Sequence, residues 1–259
     1  MLCGLNWFKS RLSFSNGQLM TGHFLRFKVM HFKPRKQHVF NTANVLGKDY
    51  IVGDIHGQIK RLYEQLFTLG FNFQIDRLFC TGDLISKGAE SIECLNLLTK
   101  KWFFSVMGNH EQLFLLGFQS SEYWDVLQQK GGEWLSQHLD RFDVLMRWKT
   151  LIDITMPLTR TISVNGKNIG ISHASAPPDW QTLQKGELSD EDIWQVLWSR
   201  PLHKNESCKG IDMIDYVVHG HSPVSHITQF DNRYWIDTFA LKQELTIINL
   251  NDFNMDELN

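Results

Sequence analysis

Five short apolar runs in this chain each end in residues able to do chemistry. Gly53-Asp54-Ile55-His56-Gly57 follows the first, Gly82-Asp83 the second, and Gly108-Asn109-His110-Glu111 the third. His173-Ala174 and His219-Gly220-His221 follow two later ones. Open α/β sheets place their ligands at such strand ends. A single Gly-Asp pair is usually a turn, and a lone histidine is usually a satisfied core or surface residue. Coincidence at five successive strand ends is much harder to credit. The chemistry that wants carboxylate, imidazole and amide together is a pair of divalent metals roughly 3.5–4 Å apart. Asp and His suit first-row ions of intermediate hardness such as Mn, Fe and Zn. A carboxylate offers two oxygens and a negative charge between two cations, which makes Asp83 the candidate bridge. Such a pair clamps a phosphoryl oxygen, acidifies a water into a nucleophile and offsets the charge of an in-line displacement. The reaction expected is hydrolysis of a phosphate ester, with no covalent enzyme intermediate.

The elements that position these residues show in the periodicity. Residues 49–52 read as a short strand, 58–69 as a helix with Ile59, Leu62, Leu66 and Leu69 on one side, and 77–81 as a second strand. Residues 89–99 look helical, 102–107 strand-like and 111–118 helical again, a βαβαβα succession that argues for an α/β fold. Residues 121–150 are Trp-rich and mostly helical in pattern, broken at Gly131-Gly132. Beyond them strands are expected at 151–155, 161–164, 168–172, 216–218, 233–238 and 245–249, interrupted by one helix at 190–198.

Composition bounds the class. With 259 residues, 42% of them hydrophobic and 12% aromatic, the chain can bury a full core and suits one large domain, alone or with an attached subdomain. No run of about 18 apolar residues is present, so no membrane span is expected, and no secretory signal pattern follows Met1. Cys3, Cys80, Cys94 and Cys208 lie far apart without a CxxC pair. They read as reduced thiols, and a cytoplasmic protein is the expectation. The net charge of −2 hides an asymmetry. Residues 1–48 hold eight Lys and Arg and no acid, leaving 18 basic against 28 acidic residues in the rest. Residues 1–47 are therefore expected to be a basic, loosely ordered leader, or sequence ahead of a start at Met20 or Met30, and 48–259 the working domain. Contact of the leader with lipid or nucleic acid is the less favoured reading.

These motifs also carry a resemblance. GDIHG at 53–57, GDLISKGAES at 82–91, GNHEQ at 108–112, SHA at 172–174 and GHSP at 220–223 resemble the metallophosphoesterase superfamily, and within it the phosphoprotein phosphatase family. GNHEQLFLLG, LWSR at 197–200 and YWIDT at 234–238 are similar to the branch of bacteriophage lambda protein phosphatase and related bacterial serine/threonine phosphatases. The match runs in order over residues 48–250. It implies a calcineurin-like α/β fold: a β-sandwich of mixed sheets flanked by helices, with a small helical cap inserted at about 119–150. It further implies that Asp54, His56 and Asp83 hold one metal and Asp83, Asn109, His173 and His221 the other, manganese foremost, with iron, zinc or nickel as alternatives. His110 matches the acid for the leaving alkoxide and Arg200 a phosphate-gripping arginine, with Asn109 and Lys87 beside them. Both roles make physical sense, since an Arg fork suits phosphate oxygens and an imidazolium can protonate a poor leaving group. The implied activity is a serine/threonine protein phosphatase using a two-metal-activated hydroxide. Its partners would be phosphoproteins or phosphopeptides, with small phosphomonoesters accepted in vitro and nucleic acid not expected.

The chain departs from the family pattern Gly-Asp-x-x-Asp-Arg-Gly, because Ser86 and Lys87 replace its second Asp and its Arg. Ser86 cannot set a negative charge against His110, which predicts slower protonation of poor leaving groups. Lys87 keeps the charge but loses the bidentate fork. Phe239 stands where related phosphatases have Gly, a bulky ring at the rim. Two alternatives stay open: a symmetrical dinucleoside tetraphosphate hydrolase, whose members also lack the Asp at the Ser86 position, and a catalytically weak homologue that binds metal or phosphoprotein. Among neighbours, His221 is preferred to His219 as the ligand. Glu111 reads as hydrogen-bonding support or helix N-terminal charge. His23, His31, His38, His138 and His203 read as surface residues, and Trp124, Trp134, Trp194 and Trp198 as packing residues more than stacking platforms.

Overall fold

The computed structural model describes residues 32–204 and 209–252. Its first regular element is a strand, β1 (His38–Asn41), followed by β2 (Asp49–Val52), α1 (Ile59–Thr68), β3 (Arg77–Cys80), α2 (Ser91–Asn96), β4 (Phe103–Ser105) and α3 (Asn109–Leu116). Next come α4 (Glu122–Gln129), a 3-10 segment (Glu133–His138) and α5 (Phe142–Thr155). The second half contains β5 (Thr159–Val164), β6 (Lys167–Ser172), α6 (Trp180–Lys185), α7 (Asp190–Trp198), β7 (Tyr216–His219), β8 (Thr228–Phe230), β9 (Arg233–Trp235), α8 (Phe239–Lys242) and β10 (Ile247–Asn249).

Two mixed sheets result, a four-stranded one in the order β10-β2-β3-β4 and a six-stranded one in the order β1-β5-β6-β7-β9-β8. Strands β2, β3 and β4 run parallel and are buried on both faces, so successive residues serve different cores. Ile51 and Phe79 point into the layer between the sheets, where Val106, Ile162, Ile169, Ile171, Val218, Tyr234 and Ile236 meet them. Tyr50, Val52, Leu78 and Cys80 face the helices instead. The fold is thus the α/β sandwich of mixed sheets flanked by helices that was expected. Helix α1 buries Ile59, Leu62 and Leu66 along one stripe. It stops at Gly70, whose φ of +68° lets Gly70 N–H reach Phe67 O and Phe71 N–H reach Leu66 O. All eight residues of α3 are buried. Helices α4 and α5 with the 3-10 segment cover α3, and Trp124 Nε1 donates to Phe114 O at 2.9 Å.

The structure corrects the expected elements in several places. Residues 151–155 are the last turn of α5, not a strand. Leu151-Ile-Asp-Ile-Thr alternates like a strand, but Leu145, Trp148 and Ile152 continue one helical stripe into the core. Strand β1 lies in the stretch expected to be leader and pairs in parallel with β5; residues 1–31 of that stretch, with His23 and His31, lie outside the described residues. Strand β8 and helices α6 and α8 were not expected. Each is three to six residues long, too short to show a period.

Candidate metal centre

Because β2, β3 and β4 are parallel, as are β6, β7 and β9, their carboxyl ends gather Asp54, Asp83, Asn109, His173, His221 and Asp237. All six are buried. Glycines let the loops close: a Cβ on Gly108 would sit 2.1 Å from Asp83 Oδ1, and one on Gly220 would sit 1.9 Å from Asp54 Oδ1. Strain collects here as well. Of nine non-glycine residues with positive φ among the described residues, five belong to these loops: His56 (45°), Asp83 (48°), Ser86 (77°), Lys87 (63°) and His221 (61°).

Ring hydrogen bonds fix which imidazole nitrogen faces inward. His173 Nδ1 lies 2.8 Å from Thr81 O, a carbonyl that can only accept. Nδ1 therefore carries the proton, and Nε2 offers its lone pair 3.0 Å from Asn109 Oδ1 and 3.5 Å from Asp83 Oδ2. His56 Nδ1 donates in the same way to Ile85 O at 3.0 Å, leaving Nε2 3.6 Å from Asp83 Oδ2. His221 Nε2 donates to Trp198 O at 3.3 Å. Such outer contacts orient metal ligands. His219 is committed elsewhere, since Nδ1 donates to Ser172 O and Nε2 accepts from Arg233 Nε at 3.3 Å.

Two groups of side chains bring ligand atoms within 4.8 Å of one another, His56, Asp83 and His110 in one and Asp83, His173 and His221 in the other. Asp83 is common to both. Asp54 belongs to neither group; its oxygens accept from Thr81 Oγ1 and from His221 N–H, both at 2.8 Å. His110 Nε2 lies 3.8 Å from Asp83 Oδ2, while its Nδ1 and the buried Ser86 Oγ have no hydrogen-bond partner among the described residues. Lys87 Nζ reaches His56 Nε2 at 2.7 Å, so its ammonium shares the lone pair that faces Asp83. Glu111 accepts from the backbone N–H of Gly108, Asp83, Leu84 and Ile85 at 2.8–3.3 Å and so fastens the loop after β3 to the start of α3.

Burial sets the protonation states. It lowers His56 to about 3 and His110 to about 4, and it holds His173 and His221 below their ordinary value, so the rings are neutral. Burial also raises Asp54, and it lifts Asp237 to about 6 and Glu111 to about 8. Asp83 is the exception. Burial alone would raise it too, but the Lys87 ammonium, and the facing rings of His173, His110 and His56 whenever they carry a proton, outweigh burial and hold it below its ordinary value. Neutral imidazole lone pairs, an amide oxygen and an ionised carboxylate are the donor forms that a divalent metal requires, so the residues fit the expected ions.

A family model for calcineurin-like phosphoesterase matches residues 50–225. The chain belongs to the calcineurin-like phosphoesterase family. Its members use divalent metals, and this phosphoesterase is a hydrolase. It is 32% identical over 196 residues to Serine/threonine-protein phosphatase 2 of Escherichia coli, covering 73% of this chain and 86% of that one. It is 28% identical over 186 residues to a symmetrical bis(5'-nucleosyl)-tetraphosphatase of Shewanella frigidimarina, covering 65% and 64%. A solved serine/threonine phosphatase of Saccharomyces cerevisiae shares the fold at a TM-score of 0.52 and 13% identity, over 96% of this chain and 90% of that one.

Sequence reasoning passed over two charged residues of this phosphoesterase. Asp237 follows β9 and is the largest charged influence on Asp54, so it belongs with the other strand-end acids. The same strand-end pattern, Tyr-Trp-Ile-Asp, would have found it. Lys130 ends α4, and no motif marks it. His38 and His138 are not plain surface residues: His38 sits between Thr159 Oγ1 and Thr161 Oγ1 at 2.9 and 3.2 Å, and His138 packs edge-on to Trp148. His203 lies outside the described side chains. Trp124 is buried, and Trp134, Trp194 and Trp198 pack against the core, in keeping with the packing reading. Phe239 packs there too, at the start of α8. Among the described residues, no helix is long and apolar enough to cross a membrane.

Proposed function

We propose that this phosphoesterase is a serine/threonine protein phosphatase, with Asp54, His56, Asp83, Asn109, His173 and His221 holding two divalent ions, manganese foremost. The observation that carries the reading is the single carboxylate, Asp83, common to two ligand groups with His110 beside it. Bound there, the ions supply Lewis acidity toward phosphoryl oxygens and lower the pKa of an attacking water.

The remaining work falls to the chain. Arg200 grips the phosphate oxygens with its planar fork, and the amide oxygen of Asn109 stands 3.0 Å from the inward Nε2 of His173, so that both converge on one ion site. His110 faces the centre through Nε2 and delivers the proton to the departing alkoxide. Neutral when the site is empty of substrate, its ring gains proton affinity when a phosphate dianion arrives beside it. Ser86 contributes no carboxylate to His110 Nδ1, so catalysis is slower for poor leaving groups than for good ones. The protein-phosphatase assignment is supported by the 32% relative over 73% of the chain, against 28% over 65% for the tetraphosphatase. Cytoplasmic placement is supported by the unpaired, buried thiols Cys80 and Cys94.

The test is turnover of a phosphoserine peptide against diadenosine tetraphosphate, with manganese and p-nitrophenyl phosphate as the reference substrate. Faster turnover of the peptide is expected. Faster turnover of the dinucleotide would move the assignment to the tetraphosphatases, and metal binding without turnover of any of the three would make the protein a binding homologue.

A further inference from the structure

The turn after α4 packs directly onto the loop that carries Lys87. Lys87 N–H donates to Gly131 O at 2.7 Å, and a Cβ on Gly131 would stand 2.8 Å from Lys87 N. The neighbouring Lys130 is thereby held at the mouth of the centre, its ammonium 6.0 Å from the centroid of the Trp198 ring. Trp198 in turn accepts from the ring of His221 through its carbonyl and precedes Arg200 by two residues. Three cationic side chains from three separate segments, Lys87, Lys130 and Arg200, therefore border one site. Lys130 keeps solvent access, and among the described residues it has no carboxylate partner. Burial, then the charges of Arg200 and Lys87, depress its pKa. Asp83 opposes that depression, yet three like charges at one mouth still favour an anion between them. One phosphate needs no more than the ions, Arg200 and Lys87, so Lys130 is surplus to a phosphomonoester.

We infer that Lys130 is a substrate-binding residue for a second anionic group lying close to the scissile phosphate, either a further phosphate or an acidic side chain of a phosphopeptide. This deepens the proposed function and rests on its phosphoryl site. An ammonium gives a charge-assisted contact worth roughly 10- to 100-fold in affinity.

The experiment compares wild type, Lys130→Gln and Lys130→Arg on p-nitrophenyl phosphate and on phosphoserine peptides with acidic or neutral flanks. Alongside, pyrophosphate and orthophosphate binding to the manganese-loaded proteins is measured by calorimetry. Lys130→Gln should lose about tenfold for pyrophosphate, for the acidic peptide, or for both. Orthophosphate, p-nitrophenyl phosphate and the neutral peptide should change less than about twofold, and Lys130→Arg should retain most of the preference. Loss confined to pyrophosphate names a second phosphate as the group read, and loss confined to the acidic peptide names a carboxylate. Equal changes for all ligands, or none, overturn the inference. If no ester is turned over, the proposed function fails, yet the pyrophosphate-to-orthophosphate affinity ratio still decides the role of Lys130.

Discussion

The two halves of the centre around Asp83 are built differently. On the side of β6 and β7, His173 gives its Nδ1 proton to Thr81 O and His221 gives its Nε2 proton to Trp198 O, so each ring has one nitrogen left for a ligand. Asp54, which the resemblance groups with His56, is also held from this side, by Thr81 Oγ1 and His221 N–H. On the side of α1 and α3, His56 is oriented by Ile85 O but shares its inward nitrogen with Lys87 Nζ. There too His110 Nδ1 and Ser86 Oγ are buried without a hydrogen-bond partner among the described residues. The first half is organised in advance, and the second is where charge and orientation can still be changed. Under the proposed function, the contrast predicts that substitutions in the two halves act differently on metal binding and on catalysis.

The comparison is broken most directly by removing one ring from each half. His173→Ala should lower kcat/KM for p-nitrophenyl phosphate by at least about a thousandfold at fixed manganese, since several kcal/mol of charge stabilisation depend on the ion it helps to hold. His56→Ala, whose nitrogen already contacts an ammonium, should lose less; equal losses would remove the distinction between the halves. Thr81→Val deletes the hydroxyl that donates to Asp54 Oδ1 at 2.8 Å. It should weaken manganese binding in a titration by about 10- to 100-fold with the fold intact. Ser86→Asp sharpens the other half by offering a carboxylate to His110. Turnover of a phosphoserine peptide should rise about tenfold, and of p-nitrophenyl phosphate, with its good leaving group, less than twofold.

The smallest effect lies away from both halves. Burial, then the charge of Arg160, holds His38 at about 4, below its ordinary 6.5, because the folded state keeps the ring neutral between Thr159 and Thr161. A lowered histidine contributes stability that is complete above pH 6.5 and lost as pH falls from 6.5 through 4. His38→Gln should therefore flatten the acid side of the Tm profile in that window by a few degrees, with no change in kinetics at pH 8.

Much of the centre was legible because its residues sit where periodic strands stop. Ile51 and Phe79 alternate with residues facing the helices, and the acids and imidazoles follow at once. Glu111 was legible as helix-end support, though its grip on four N–H groups across two loops could not be read from one segment. Asp237 was passed over although it too follows a strand, whereas no sequence pattern marks Lys130, whose place beside the centre comes from tertiary proximity. Lys130 is brought there by the contact of Gly131 with Lys87 and lies beside the Trp198 ring. The strand expected at 151–155 failed for a related reason, because a five-residue alternation cannot be told from the end of a helix whose stripe begins at Leu145. Strand β1 carries only four residues and depends on β5 to define it.

The account turns on Asp83 serving both halves at once. Equilibrium titration of manganese into the metal-free protein, followed by metal content after dialysis, tests this without reference to any substrate. Wild type should bind two ions per chain, and Asp83→Asn should weaken both. Two ions bound to Asp83→Asn with unchanged affinity would contradict it.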